Sequence, residues 1–260
     1  MKIITIDKSN IDQEHICCAI GNDKQNQARA QSKKDWMKER LKDGLVFKRF
    51  DERGKLFIEY MPIESVWKPI VGKNYLVINC LWVAGRFQGK GLGTKLLNEC
   101  IEDAKKQKKD GICVVTSTKV KPFLTGKKFF VKEGFETCDT APPYFELMVL
   151  KLNKSAKLPE FSENAKKGIC ANKKGFTFIY SNQCPFVEEY IDVMTSVLNK
   201  KKIPFEVIKL KNNKEVQKIA GPFGTQSIFY NGEIKTHETM PEKKFEKFIE
   251  EVNNDEGTKK

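Results

Sequence analysis

At 260 residues the chain has room for two domains of about 100–150 residues each. Its composition is globular, at 40% hydrophobic, 10% aromatic and 31% charged. No apolar run approaches the roughly 18–20 residues of a membrane span, and Asp7, Asp12 and Glu14 fall where a signal peptide needs an apolar core. A soluble, cytoplasmic protein without a membrane partner is expected.

The net charge of +13 raises a nucleic-acid hypothesis. Almost all of the basic residues are lysines interleaved with acids, and arginine stands only at Arg29, Arg40, Arg49, Arg53 and Arg86. Base readers favour arginine and a concentrated stripe, so no specific nucleic-acid partner is expected. The charge still draws in anionic ligands. The cysteines (Cys17, Cys18, Cys80, Cys100, Cys113, Cys138, Cys170, Cys184) are scattered without a C-x-x-C pair. With only His15 and His237 beside them, they offer no metal-ligand set and read as reduced thiols.

In chain order, residues 1–7 alternate as a short strand, and 11–20 and 27–42 have helical spacing, the second run stopping at Asp43-Gly44. Runs 45–50 and 55–61 read as strands about an Asp51–Gly54 turn. Residues 75–84 form a more continuously apolar run, the signature of a central strand. A glycine-rich stretch follows, then a helix over 92–109, a buried strand over 111–117, a helix over 123–132 and two strands over 135–138 and 144–152. Residues 153–175 lose periodicity and mark a domain boundary. The pattern then restarts: strand 176–180, helix 185–200, strand 205–209, helix 213–220, a hairpin of 227–230 and 233–235 about Asn231-Gly232, and helix 241–252.

The glycine-rich stretch carries the chemistry. Arg86-Phe87-Gln88-Gly89-Lys90-Gly91-Leu92-Gly93 sits between a central strand and an amphipathic helix. Glycines let a backbone approach a ligand, and the open amides of a first helical turn attract anions. A Walker loop fails because Gly91 follows Lys90, and the dinucleotide fingerprint fails because the spacing is G-x-G-x-G. What fits is Q-x-x-G-x-G on Gln88, Gly91 and Gly93.

On those residues, the stretch from Val83 to Thr94 resembles the acetyl-CoA pyrophosphate loop of the GNAT superfamily of N-acetyltransferases, and the element order over 1–152 is similar to that fold. The resemblance implies an α/β (α+β) protein whose central mixed, mostly antiparallel sheet is flanked by helices. It implies acetyl-CoA as co-substrate, held by the loop at Gln88, Gly89, Lys90, Gly91, Leu92, Gly93 and Thr94. Leu81, Trp82 and Val83 would pair with the pantetheine arm and leave a gap between strands for the thioester. The acceptor would be a small-molecule or peptide amine, and a homodimer is the default expectation.

A second stretch extends the match. Lys121-Pro122-Phe123-Leu124, Phe129-Phe130, Gly134-Phe135 and Ala141-Pro142-Pro143-Tyr144-Phe145-Glu146-Leu147 resemble the YoaP-like branch, whose members carry a smaller thioredoxin-like domain behind the catalytic one. The expected division is an acetyltransferase domain at 1–152, a linker at 153–174 and a thioredoxin-like domain at 175–260.

The family's acid and base positions are vacant. Phe130 stands where many members place a proton-donating tyrosine, and Val77 where some place a glutamate. Tyr144, set by Pro142-Pro143, is the substitute acid, or else a strand-end aromatic at the surface. Glu59 is the substitute base through water, or else a solvent-facing carboxylate; Glu146 has similar standing. Cys184-Pro185-Phe186-Val187 opens a helix where a thioredoxin keeps its redox cysteine, but Val187 replaces the second thiol and Thr225-Gln226-Ser227 lacks the usual proline. Three functions stay open: an acetyltransferase, a weakly catalytic acetyl-CoA-binding regulator, and a monothiol redox protein acting through Cys184.

Overall fold

The computed structural model describes residues 1–16 and 18–257; Cys17 and the last three residues assigned above to the second domain lie outside the described residues. The elements run β1 (Ile3–Ile6), α1 (Lys24–Leu41), β2 (Val46–Phe50), β3 (Leu56–Pro62), β4 (Ile70–Val71), β5 (Tyr75–Val83), α2 (Leu92–Lys106), β6 (Gly111–Ser117), α3 (Lys127–Lys132), β7 (Glu136–Ala141) and β8 (Phe145–Lys151). Then come β9 (Glu160–Phe161), α4 (Glu163–Lys167), β10 (Phe176–Tyr180), α5 (Val187–Lys201), β11 (Phe205–Lys209), α6 (Asn213–Val216), β12 (Gln226–Tyr230), β13 (Glu233–Thr236) and α7 (Glu242–Gly257).

Seven strands form the first sheet in the order β1-β2-β3-β5-β6-β8-β7. Every neighbouring pair in it is antiparallel except β5 with β6, which are parallel, as α2 between them requires. The expected mixed, mostly antiparallel sheet is therefore present. Its two faces bury different cores. Leu96, Leu97 and Cys100 of α2 pack on Ile58, Leu76, Ile78 and Val114. On the other face Trp36 and Met37 of α1 join Phe47, Phe57 and Val77. The alternation Leu76/Ile78 against Val77 along β5 is the period-2 pattern that sends neighbours to opposite faces.

Beside Ile78 the sheet changes. Tyr75–Ile78 pair with Gly111–Val114, and there the β5–β6 register ends, although β5 continues against β3 to Val83 and β6 against β8 to Ser117. The break coincides with a bulge: Glu59 faces Cys80 and Tyr60 faces Ile78, so Asn79 has no partner position on β3. An extra residue of this kind sharpens local twist and bends its strand, at the point where the pairing with β6 ends.

The second half has a four-stranded sheet in the order β11-β10-β12-β13. β10 and β11 are parallel and joined through α5; the other pairs are antiparallel. Phe176, Phe178, Ile191, Met194, Phe245 and Ile249 fill the core between this sheet and its helices α5 and α7. No helix among the described residues is long and apolar enough to cross a membrane.

Two expectations need correction. Residues 11–20 form turns rather than a helix among the described positions; the buried side chains of Ile11, Ile16 and Ala19 belong to the α1-side core, and packing there produced their helix-like spacing. The segment read as a featureless linker contains β9, which pairs with β4, and α4, capped by the Ser162 side chain.

The two halves share a continuous core. Phe223 stacks on Phe145, their centroids 6.5 Å apart, and both contact the His237 ring. His237 is buried; its Nε2 lies 2.8 Å from the Pro122 carbonyl and its Nδ1 2.8 Å from the Tyr144 hydroxyl. A carbonyl only accepts, so Nε2 carries the proton and Nδ1 accepts from Tyr144. Lys68 reaches across to the Phe223 carbonyl at 2.9 Å, and Arg29 of α1 donates through Nε to Glu189 of α5 at 2.7 Å.

Burial, outweighing the Pro122 hydrogen bond and the Glu238 charge, pushes the His237 imidazole down from 6.5 to about 4. The unfolded chain therefore binds the extra proton first, so this contribution is complete above about pH 6.5 and is lost as pH falls toward 4, at most about 3 kcal/mol. Urea midpoints at pH 7 and pH 4.5 should differ more for the native chain than for His237→Gln; an equal difference in both would remove His237 from the acid response.

Candidate active site

The loop between β5 and α2 is shaped by glycines where other residues would be strained. Gly85, Gly89 and Gly91 have φ of 60°, 73° and 70°, the left-handed region that glycine occupies freely. Gly91 is the N-cap of α2; no side chain caps the helix, and no acidic residue stands in its first turn. The amides of Leu92, Gly93 and Thr94 thus open the helix at its positive dipole end without a side-chain cap. Gln88, Gly89, Lys90 and Gly91 are exposed, and the Gln88 side chain ties the loop back to β5 by donating to the Val83 carbonyl at 3.3 Å. Leu92 is buried in the α2-side core, so its backbone alone is available to a ligand. The Thr94 hydroxyl is committed to Glu133 at 2.6 Å. A Cβ on Gly93 would come within 3.3 Å of the Phe129 ring, so glycine there allows close packing against α3.

Leu81, Trp82 and Val83 lead into this loop along the free edge of the parted strands. The cleft is lined on the β5 side by Asn79, Cys80, Leu81 and Trp82 and on the β6 side by Val114 and Val115. Thr125 bridges it, its hydroxyl donating to the Leu81 carbonyl at 2.7 Å while its own carbonyl accepts from Thr116 at 2.9 Å.

Beside the cleft, between the two halves, lies a cavity of about 320 Å³ lined by residues of both, Asn79, Cys80, Trp82, Phe123 and Phe223 being common to cavity and cleft. Glu59 sits in its wall and is only 1% exposed, which rules out the solvent-facing alternative. One Glu59 oxygen is bound by the Lys33 ammonium and the other by the Asn79 amide at 3.1 Å. Lys33 is 2% exposed and lies over the Trp36 ring. A charge pair this deeply buried is held by mutual compensation, and removing one member leaves the other stranded. Lys33 escaped the sequence reading; a lysine on the inward face of α1 together with Trp36 and Met37 was its only local signal. Lys68, fully buried nearby, is brought down from 10.5 to about 8 by burial, against the opposing pull of Cys80 and Glu59.

Tyr144 does not line the cavity. Its hydroxyl is bound to Thr236 and to His237, each at 2.8 Å, and burial raises its pKa. The Tyr144 hydroxyl thus lies in a contact between the two halves, outside the cavity wall. Glu146 is paired with Lys127 at 2.8 Å and is likewise outside the cavity wall. Phe130 is buried in the α2-side core.

Cys184 and Cys80 both line the cavity. Burial raises the Cys184 thiol pKa, outweighing its hydrogen bonds from the Phe186 and Val187 backbone, and raises Cys80 well above its usual value. Gln183 and Gln226, also in the wall, were not singled out from the sequence as binding residues. Among the described residues no cluster of three or more His, Cys, Asp or Glu side chains could hold a metal ion.

Comparison with known proteins follows this geometry. Residues 11–135 match the model of the acetyltransferase (GNAT) family, and residues 204–247 match the YoaP-like family model. The chain is 42% identical over 249 residues to the uncharacterized N-acetyltransferase YoaP of Bacillus subtilis (strain 168), covering 96% of this chain and 98% of that protein. Among solved structures it is similar to the PaiA N-acetyltransferase of Thermoplasma acidophilum in complex with coenzyme A, at 18% identity and a TM-score of 0.40 over 58% of this chain and 99% of that one. It is also similar to the ribosomal-protein-alanine N-acetyltransferase of Brucella melitensis, at 19% identity and a TM-score of 0.40 over 58% of this chain and 100% of that one. With the first relative matched along almost the whole of both sequences, the chain belongs to the YoaP-like N-acetyltransferases of the GNAT family.

Proposed function

We propose that the acetyl-CoA-dependent N-acetyl transfer of this family runs in the cleft where β5 and β6 part, with the acceptor amine entering from the cavity between the halves. The observation that carries this reading is the adjacency of three features: an uncapped helix N-terminus behind left-handed glycines, a parted strand edge, and a cavity that shares Cys80, Trp82, Phe123 and Phe223 with that edge. The amides of residues 89–94, with Gln88 and Lys90 beside them, hold the pyrophosphate of acetyl-CoA. The strand end Leu81–Val83 offers backbone groups to the pantetheine arm, and an amide there supports the oxyanion as the amine nitrogen adds to the thioester carbonyl.

Oxyanion support contributes heavily to acyl transfer, and holding both reactants in adjoining spaces removes much of the entropic barrier. Glu59 is the carboxylate available on the cavity wall to receive the amine's proton, through water, with Lys33 and Asn79 fixing its orientation. Departure of the thiolate needs no tyrosine donor, because a thiol of pKa near about 8.5 leaves readily as its anion.

The second half, taken as residues 175–260 behind a packed connector at 153–174, is a thioredoxin-like domain in this reading. Its support is the β-α-β unit of parallel β10 and β11 followed by an antiparallel hairpin and a helix. The Cys184 turn and the Thr225-Gln226 segment, the face that would do redox chemistry, close the acceptor cavity instead. The monothiol alternative is disfavoured because burial keeps the thiol protonated.

Calorimetric titration should show acetyl-CoA binding at one per chain, with Gly91→Val abolishing it. Space around that Cβ is open, but a β-branched residue is strained at a φ of 70°, which displaces the loop amides. Full affinity in Gly91→Val would remove this loop from the cofactor site. Iodoacetamide at pH 7.5 should alkylate Cys184 at least about tenfold more slowly than free cysteine, given the raised pKa of the buried thiol. Faster labelling, followed by mass spectrometry, would revive the thiol reading.

A further inference from the structure

The cavity wall contains an anomaly that acetyl-CoA does not explain. Asn79, Gln183 and Gln226 are 8%, 6% and 2% exposed, and all three line the cavity. Asn79 Oδ1, Gln183 Oε1 and both polar atoms of the Gln226 carboxamide are buried without a hydrogen-bond partner. Such atoms are rare in folded proteins because each forfeits its bonds to water. Here they come from three elements that meet at the cavity wall: the β5 bulge, the turn before α5 and the first residue of β12. The Glu59 carboxylate fixes the orientation of Asn79, since it accepts and so takes the amide nitrogen, leaving the oxygen unmet. The set offers three carboxamide oxygens that can accept the N–H groups of an amine, beside the amide groups of Gln183 and Gln226.

The rest of the wall sets the body of the ligand. Phe57, Trp82, Phe123, Phe186 and Phe223 make it largely aromatic. Its one carboxylate, Glu59, is already matched by Lys33, and Lys55 adds a further positive charge. A ligand with several ammonium groups would therefore meet two lysines and a single carboxylate, which Lys33 already holds. The space, about 320 Å³, is at the small end of ligand pockets.

Resting on the placement of acetyl transfer in the adjoining cleft, we propose that the cavity selects a small aromatic primary monoamine as acceptor, its nitrogen received by Asn79, Gln183 and Gln226 and its ring by the aromatic wall. A polyamine, an aminoglycoside or a protein N-terminus fits this wall poorly. Burial lowers the neighbouring Lys68 ammonium to about 8, and the same dry surroundings favour the uncharged amine that attacks the thioester.

The test uses the full chain and two readouts. Calorimetric titration with 2-phenylethylamine and tryptamine, without acetyl-CoA, should show saturable binding. Coenzyme A release should then give these amines a kcat/KM at least about tenfold above spermidine and kanamycin. Gln226→Leu should raise the KM for 2-phenylethylamine about fivefold or more, leave acetyl-CoA affinity unchanged and raise Tm, because a partnerless carboxamide has been removed. If Gln226→Leu does not fold, Gln183→Leu carries the same comparison. Preference for spermidine or kanamycin, absence of binding by the aromatic amines, or an unmoved KM in the variant would each overturn the proposal. Failure of acetyl-CoA itself to bind would instead sink the cofactor reading, and the amine titration would still decide the class of ligand.

Discussion

Two parallel strands cannot part in the middle of a sheet without leaving backbone donors and acceptors unpaired, and buried backbone groups need partners. β5 and β6 part after Ile78, with the Asn79 bulge turning β5 toward β3. Part of the debt is met internally, where Thr125 reaches over to the Leu81 carbonyl. The remaining edge leads straight into the glycine loop and the open N-terminus of α2. A strand edge that pairs with an extended chain and a helix end that attracts anions are thus consecutive in sequence, so one elongated ligand with a phosphate-rich end and a polar arm satisfies both. The parallel pairing itself exists because α2 provides the crossover, and α2 is held by the apolar stripe that also frames the cleft.

That constraint also explains why the second half is docked so firmly. The gap at the strand edge exposes Phe123 and Trp82, and a loosely tethered domain would leave them to water. Instead Phe223 and His237 pack onto Phe145, Lys68 reaches the Phe223 carbonyl, and the two cores merge. The cavity keeps a buried ion pair and several unpaired carboxamide atoms in its wall. Each feature lowers stability relative to an apolar filling, a pattern expected where binding rather than folding sets the residue type.

The glycine loop and its flanking strand and helix were legible in sequence because their signal is local: glycines at fixed offsets, flanked by a period-2 run and a period-3.6 run. The strands and the Asn231-Gly232 hairpin were legible for the same reason. What stayed hidden depends on partners far along the chain. Glu59 is buried because Lys33, 26 residues earlier, arrives on another element. Tyr144 is diverted by His237, 93 residues later. The spacing of Ile11, Ile16 and Ala19 imitates a helix although those side chains are buried from turns and irregular chain. Polar composition at 153–174 suggested a free linker, but no composition could show that Glu160–Phe161 would pair with Ile70–Val71.

Cys184 illustrates how such a hidden contact inverts a local argument. A cysteine at the entrance to a helix should be acidified by the backbone amides around it, and the Phe186 and Val187 amides do act in that direction. Were the second half alone, that face would meet water, and the thiolate would be solvated. Docking onto the first half replaces water with the wall containing Cys80, Trp82 and Phe123, and desolvation becomes the larger effect. The contact between the halves that completes the cavity is therefore the same one that favours the protonated thiol.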